Sequence, residues 1–102
     1  MRHVSDQMLA EAINSLSEPL FDTHIVEQRI LRIHPLAFAY EIIDHQHNDD
    51  VFQQFSASFS KRIGSAFPNE VEKVEKVNST NLEGRDSDNQ QWRRLVANVV
   101  PR

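Results

Sequence analysis

Apolar residues recur at helical spacing in four segments of the chain, so the sequence predicts four successive helices. The clearest repeat lies between Asp49 and Phe67, where Asn48 is a good N-cap and the first acidic residues complement the helix dipole. One face of this helix is predicted to be core: Phe52, Phe55, Phe59, Ile63, Ala66 and Phe67. The opposite face is mostly small and polar: Gln53, Gln54, Ala57, Ser58, Lys61 and Ser65.

Capping residues and prolines delimit the earlier helices. Ser5 is a suitable N-cap for the first helix, which ends ahead of Pro19 because a residue before proline is pushed out of the α region. Asp22 is the predicted cap of the second helix. Phe21 precedes that cap, and its spacing from Val26 inside the helix is that of a hydrophobic staple.

The second helix must stop near Ile33, because Pro35 follows and suits the first position of a third helix. The buried side of the second helix is predicted to hold Ile25, Val26, Ile30, Leu31 and Ile33. The third helix, Pro35–Asp44, is apolar almost all round, which predicts burial between neighbouring elements. Its apolar residues are Leu36, Phe38, Ala39, Tyr40, Ile42 and Ile43.

The C-terminal third has no single interpretation. Three valines recur at every third residue, a period that fits neither a helix nor an alternating strand: Val71, Val74 and Val77. Turn formers are frequent in residues 78–81 and 83–89. The segment Gln90–Val100 has a helical apolar stripe, yet its valine and tryptophan content also suits a strand. A hairpin, helices, or one of each are open alternatives.

Length and composition indicate one domain, predicted to span residues 1–102 with an N-terminal helical segment over residues 1–18. The chain has no cysteine, which excludes disulfides and thiolate chemistry and suits the reducing cytoplasm. The first residues lack a signal-peptide pattern, and no run approaches the roughly 20 apolar residues of a membrane span. We therefore expect a cytoplasmic protein without membrane association.

The distribution of charge is more informative than its sum. The net charge of −4 at pH 7, taken alone, disfavours nucleic acid. Residues 1–60 hold three basic and nine acidic side chains, whereas residues 61–102 hold eight basic and six acidic ones. The sequence is compatible with a dipolar molecule that has a mildly basic C-terminal part, and equally with an ordinary mixed surface.

Candidate catalytic chemistry is sparse. His45 and His47 lie beside acidic residues, and a metal site can use two imidazoles and a carboxylate, although a polar connector explains the pair more simply. The only glycines, Gly64 and Gly84, make no phosphate-binding loop. Serine, histidine and carboxylate residues show no nucleophilic pattern. We therefore expect no enzymatic activity, no catalytic residues, no metal and no cofactor.

The order of elements, from about residue 22 to about residue 97, resembles the winged helix-turn-helix superfamily of DNA-binding proteins. In that comparison Pro35–Asp44 and Asp49–Phe67 form the helix-turn-helix pair, while Glu72–Thr80 and Gln90–Ala97 form the wing strands. The resemblance implies a mainly α fold with a small C-terminal β-hairpin. Its winged-helix-like three-helical core would follow an N-terminal helix.

The resemblance also implies a site. Helix 49–67 would enter the major groove, where glutamine can pair with adenine, and a wing near residues 83–89 would touch the backbone. The DNA-binding residues would be Gln53, Gln54, Ser58, Lys61 and Arg85. Asp49 and Asp50 at the helix start oppose this function, and a solvated surface is the competing interpretation of the polar face.

Two functions are compatible with these features. The first is a small DNA-binding regulator that binds double-stranded DNA as a homodimer, joined through Met1–Leu16 or through the apolar tail Leu95–Val100. The second is a protein-interaction module or accessory subunit without DNA binding. In that case the acidic N-terminal part and the helical grooves would contact a partner protein.

Overall fold

A computed structural model describes residues 3–46 and 49–101 of the chain. Within these residues the elements are α1 (Asp6–Asn14), β1 (Leu20–Asp22), α2 (Thr23–Ile33), α3 (Pro35–Asp44), α4 (Val51–Ala66), β2 (Val71–Thr80) and β3 (Asp86–Arg94). The three strands form one antiparallel sheet in the order β1–β3–β2. Both α2 and α4 pack against β3. The fold is therefore α+β.

The predicted fold class, mainly α with a small C-terminal hairpin and a winged-helix-like three-helical core, is wrong. Leu20–Asp22 is a strand that pairs with β3, so that Phe21 lies opposite Trp92. The contact extends to Pro19, whose carbonyl accepts a 2.8 Å hydrogen bond from the Arg94 N–H. A strand of three residues is too short to show alternation, and its partner is distant in sequence. The local pattern therefore could not reveal it.

The predicted N-caps of the first two helices are confirmed. Ser5 Oγ accepts a 3.1 Å hydrogen bond from the Met8 N–H, and Asp22 Oδ1 accepts one of 2.9 Å from the Ile25 N–H. These bonds use the side chain to satisfy backbone donors that the first helical turn leaves without partners. Helix starts are local features, which is why the sequence alone predicts them.

Helix α4 begins at Val51, two residues later than predicted. Asp50 is its N-cap and accepts a 3.1 Å hydrogen bond from the Gln53 N–H. The predicted cap, Asn48, lies outside the described residues. The apolar stripe is confirmed as core, with Phe52 half-buried at its start. Its buried residues are Phe55, Phe59, Ile63, Ala66 and, directly after the helix, Phe67.

One hydrophobic core joins all four described helices, the sheet and the C-terminal tail. Leu9 and Ile13 of α1 are fully buried in it, so α1 is part of this core. Asn14 holds the tail, because its side chain donates to the Val99 carbonyl at 2.9 Å and accepts from the Val99 N–H at 2.7 Å. No helix in the described residues is long and apolar enough to cross a membrane.

The C-terminal hairpin is present and its strands differ from the predicted Glu72–Thr80 and Gln90–Ala97. β2 starts one residue earlier. β3 starts at Asp86, which pairs with Thr80 of β2, and ends at Arg94, which pairs with Val71. At the tip, Asn81 Oδ1 accepts a 3.1 Å hydrogen bond from the Arg85 N–H. Gly84 has a φ angle of +82°, a conformation that other residues rarely adopt.

Helix α2 buries polar residues that the apolar pattern did not assign to its inner side. Val26 and Ile30 are buried as predicted. Three of the apolar residues predicted to be inside are exposed: Ile25, Leu31 and Ile33. The start of α2 is covered by the sheet, and polar residues are buried there instead: Thr23, His24 and Glu27.

Helix α3 has its predicted bounds, but the prediction that it is buried between neighbours is wrong. α2 and α4 pack on one side of it, where Phe38 and Glu41 are buried. The other side faces solvent, because the sheet packs on α2 and α4 rather than on α3. Exposed fractions of 67%, 48% and 49% are found for Leu36, Tyr40 and Ile43.

A buried charge network ties the N-terminus to α3 and α4. Arg62 is buried on the apolar flank of α4, away from the exposed polar face. Its Nη1 atom lies 3.4 Å from Glu41 Oε1, and its Nη2 atom donates to the Val4 carbonyl. Glu41 Oε1 also accepts the backbone N–H groups of His3 and Val4 at 2.8 and 2.9 Å. Asp6, which is partly exposed, lies 3.4 Å from Arg62 Nη2, so Glu41 is the buried one of the two carboxylates that neutralise Arg62.

We expect Glu41→Ala to lower the free energy of unfolding by about 3 kcal/mol, because it leaves the buried Arg62 guanidinium with only the partly exposed Asp6 and removes the acceptor of two backbone N–H groups. The matched control is Glu72→Ala, which breaks the exposed 2.8 Å pair between Glu72 and Arg93. Exposed pairs contribute about 0–1 kcal/mol. Urea denaturation followed by circular dichroism measures both losses. Equal losses would contradict the structural role of Glu41.

Candidate nucleic-acid interface

A groove of about 730 Å³ separates α4 from the β2–β3 hairpin, and we call it the α4–hairpin groove. Gln53 and Ala57 lie on its α4 wall, and Gln90 lies on its hairpin wall. Trp92 is buried at its floor, against Gly64. A Cβ atom at Gly64 would lie 3.3 Å from the indole ring, so glycine allows this close approach.

Three lysines line this groove, Lys61 from α4 and Lys73 and Lys76 from β2. Residues three apart in a regular strand face opposite sides of the sheet. A bulge in β2 changes this, since Lys73 lies opposite Trp92 and Lys76 opposite Gln90, two residues on one face of β3. Sequence reasoning missed both lysines of β2 because alternation separates them. The irregular spacing of the valines in this strand is the only sequence signal of the bulge.

Acidic side chains also surround the groove, and several accept hydrogen bonds from neighbouring protein groups. Asp50 caps α4. Asp88 accepts a 3.0 Å hydrogen bond from the Asn78 amide. Asp86, which does not line the groove, accepts one of 3.1 Å from the Thr80 hydroxyl. Among the residues that the structure describes, no ion pair involves the four cations of this face: Lys61, Lys73, Lys76 and Arg85.

The structure brings together some of the residues that the sequence predicts to contact DNA. Gln53 and Lys61 line the α4–hairpin groove, and Gln54 is exposed on the same helix. Arg85 is exposed at the hairpin tip. Ser58 does not line the groove; it lines a second hollow beside the buried charge network, and Lys61 borders both hollows. The predicted set is therefore not gathered at one site.

Hydrogen bonds between α2 and the hairpin fix the position of the second groove wall. The His24 N–H donates to Asn89 Oδ1 at 2.9 Å, and His24 Nδ1 shares a 2.9 Å hydrogen bond with the Ser79 hydroxyl. The Trp92 indole N–H donates to Thr23 Oγ1 at 3.2 Å. Buried polar groups need hydrogen-bond partners. These hydrogen bonds between α2 and the hairpin therefore fix the position of the hairpin.

Glu27 lies beneath the groove and is only 1% exposed. The Ser56 hydroxyl, which also lines the groove, lies within hydrogen-bonding distance of both its oxygens, at 2.8 and 2.9 Å. Burial raises the pKa of Glu27 to about 8, while the Ser56 hydrogen bond opposes the shift and the charge of Asp22 adds to it. The carboxyl is therefore mostly protonated at neutral pH.

In the described ranges, 3–46 and 49–101, no group of three or more histidine or acidic side chains is placed to hold a metal ion. His45 packs edge-on against Phe55, with ring centroids 5.6 Å apart. His47, the other member of the predicted pair, lies outside the described residues. The groove offers ammonium groups, amides and hydroxyls, a set of donors that suits the recognition of an anionic surface.

Comparison of the chain with protein-family models, with curated proteins and with solved structures finds no match. The candidate interface therefore depends on the geometry and charge of this chain itself. Two features define it: cations on both walls of one groove that form no ion pair within residues 3–46 and 49–101, and exposed glutamines on the outer face of α4.

The raised pKa of Glu27 predicts a specific pH dependence of stability. Its carboxyl ionises near pH 4.5 when unfolded and near pH 8 when folded, so the folded state holds the proton more tightly. Stability is therefore lost as pH rises from about 4.5 to about 8, at up to about 1.4 kcal/mol per pH unit. We expect Glu27→Gln to remove this loss, since it mimics the protonated side chain. The difference in unfolding free energy between variant and wild type should grow across this range and then level off.

Urea denaturation at several pH values between 5 and 9 measures that difference. Glu83→Gln, at an exposed position of the hairpin tip, is the matched control and should follow the wild-type curve at every pH. Parallel curves for wild type and Glu27→Gln would show that Glu27 is not held protonated by burial.

Proposed function

We propose that this chain binds double-stranded DNA through the α4–hairpin groove, with α4 in the major groove and the hairpin along the backbone. The observation that carries the proposal is the convergence of Lys61, Lys73 and Lys76 on one groove without ion-pair partners among the described residues.

The side chains divide into two roles. The lysines, together with Arg85 at the tip, bind phosphate oxygens and set the position of the protein on the duplex. Gln53 and Gln54 on the exposed face of α4 contact base edges, where a glutamine amide can pair with adenine. An α-helix fits the major groove, which is about 12 Å wide. The proposal assigns no catalytic residue and no cofactor.

The charge balance sets the expected strength of binding. Asp50, Glu83 and Asp88 also line the groove, and the whole chain carries a net charge of −4. Affinity for DNA is therefore modest and depends strongly on salt. Each neutralised phosphate contributes about 0.9 to the slope of log affinity against log salt concentration. We therefore propose a cytoplasmic location for the protein, which its lack of cysteine and its proposed DNA binding both favour.

Fluorescence anisotropy of a labelled duplex, titrated from about 25 to about 200 mM salt, tests the proposal. We expect binding at low salt with a slope of roughly 3 to 4, one unit for each of four cations. The triple variant Lys61→Gln, Lys73→Gln, Lys76→Gln should lower that slope by roughly 2 to 3 and weaken binding at least about tenfold. Absence of any affinity at the lowest salt would overturn the proposal.

Two controls separate the roles. Arg93→Gln also removes one positive charge from the sheet, but Arg93 is exposed and paired with Glu72. This variant should therefore leave the salt dependence of DNA affinity unchanged, whereas Lys73→Gln should reduce it. Gln53→Ala should leave the slope unchanged and reduce discrimination between duplexes of different sequence by about 5- to 100-fold. Equal effects of Arg93→Gln and Lys73→Gln would indicate general charge attraction without a defined site.

A further inference from the structure

The Ser56 hydroxyl connects a buried carboxyl to the α4–hairpin groove. Ser56 is half-buried on α4 and lines the groove. Both carboxyl oxygens of Glu27 lie within hydrogen-bonding distance of this hydroxyl, at 2.8 and 2.9 Å. Within residues 3–46 and 49–101 no other side chain forms a hydrogen bond with the Glu27 carboxyl, and no cation pairs with it. The carboxyl therefore reaches the groove through one hydroxyl.

The protonation state of Glu27 decides what this hydroxyl can donate to. A serine hydroxyl has a single proton to donate and can also accept. An ionised carboxylate only accepts, so Ser56 must then donate its proton to Glu27. A protonated carboxyl donates its own O–H to the Ser56 oxygen, which leaves the Ser56 proton available to a ligand in the groove. Ser56 thus gains a free donor when Glu27 is neutral.

Ionisation of Glu27 also places a negative charge beneath the lysines of the groove, which are Lys61, Lys73 and Lys76. Charges interact more strongly where water is excluded than in bulk solvent. An ionised Glu27 therefore offsets part of the attraction of these lysines for phosphate, whereas a neutral Glu27 leaves it intact. The hydrogen bond and the charge act in the same direction.

The elements packed against α2 do not compensate this charge. They are α1, α3, α4, β1 and β3. The charge of Asp22, on β1, opposes the ionisation of Glu27. In the described residues the other charged side chains of these elements have different contacts: Glu11 with His34, Asp6 and Glu41 with Arg62, Asp44 with His3, Arg93 with Glu72, Arg94 with backbone carbonyls, Asp86 with Thr80, Asp88 with Asn78, and Asp50 as the cap of α4. On α2 itself, the His24 ring bonds to Ser79.

We propose that Ser56 donates to a DNA phosphate in the α4–hairpin groove and that the proton on Glu27 controls this contact, so that DNA binds the chain in its protonated form. This inference rests on the proposed DNA binding and adds a regulated contact to it. Burial raises the pKa of Glu27 to about 8, so the control acts just above neutral pH. Because linkage is reciprocal, bound DNA holds the proton on Glu27 more tightly.

Fluorescence anisotropy with a labelled duplex at constant low salt, from about pH 7 to about pH 9, tests the control by Glu27. The affinity of wild type should fall about tenfold, because the neutral fraction of Glu27 falls from about 0.9 to about 0.1 around a pKa of about 8. Glu27→Gln should keep its affinity, since its amide can donate to Ser56 as the protonated carboxyl does. Parallel profiles for these two chains would overturn the proposal.

Two controls accompany this comparison. Glu83→Gln removes an exposed carboxyl that also lines the groove, so its affinity should fall with pH as that of wild type does. Any change in the charge of His24 is common to all these chains. Circular dichroism at each pH confirms that the chain is folded while its affinity is measured.

Ser56 is tested in the Glu27→Gln chain, where the carboxyl no longer titrates. Adding Ser56→Ala should weaken DNA binding at least about fivefold at every pH, because a hydrogen bond to a charged phosphate is lost. Ser65→Ala is the matched control on the same helix. Ser65 lines the groove too, but its hydroxyl already donates to the Lys61 carbonyl at 3.0 Å, so affinity should not change. An unchanged affinity in the Ser56→Ala chain would overturn the contact from Ser56.

A measurement without DNA separates failure of this inference from failure of the proposed function. The carbon-13 chemical shift of the Glu27 carboxyl reports its pKa in the folded chain, and sulfate at matched ionic strength is the probe for a phosphate group. Sulfate should raise the pKa of Glu27 in wild type but not in the triple lysine variant. An unchanged pKa would overturn the inference. A raised pKa without DNA affinity at low salt would overturn only the proposed function.

Discussion

The burial of Trp92 between α2 and α4 is the contact on which the groove depends. Its indole N–H donates to Thr23 at the start of α2, and its ring lies against Gly64 of α4. In the sheet it is flanked by Phe21 of β1 and Lys73 of β2. One side chain thus sets the distance between the hairpin and α4. Burying an aromatic residue of this size contributes on the order of 2–3 kcal/mol, and its hydrogen bond restricts the orientation.

Helix α4 is held from two sides by polar contacts of different kinds. Toward the sheet, neutral hydrogen bonds such as that from the His24 N–H to Asn89 fix the hairpin. Toward α3, the buried pair of Arg62 and Glu41 fixes the N-terminal segment. Buried polar groups of this kind add little net stability, but they penalise any arrangement that leaves them unpaired. The outer face of α4, with Lys61, is left exposed at the groove.

The sequence by itself determined the helices and the core face of α4. Ser5 and Asp22 act within one turn, and the phenylalanine stripe is a periodicity of a single helix. It also indicated that Gln53 and Lys61 are exposed. Only the tertiary structure decided that residues 20–22 form a strand and that α3 keeps an exposed apolar side. It also decided that a bulge in β2 places both lysines of that strand at the groove. These features depend on which distant segments meet, because strand pairing and burial are properties of contacts between elements and not of the local pattern.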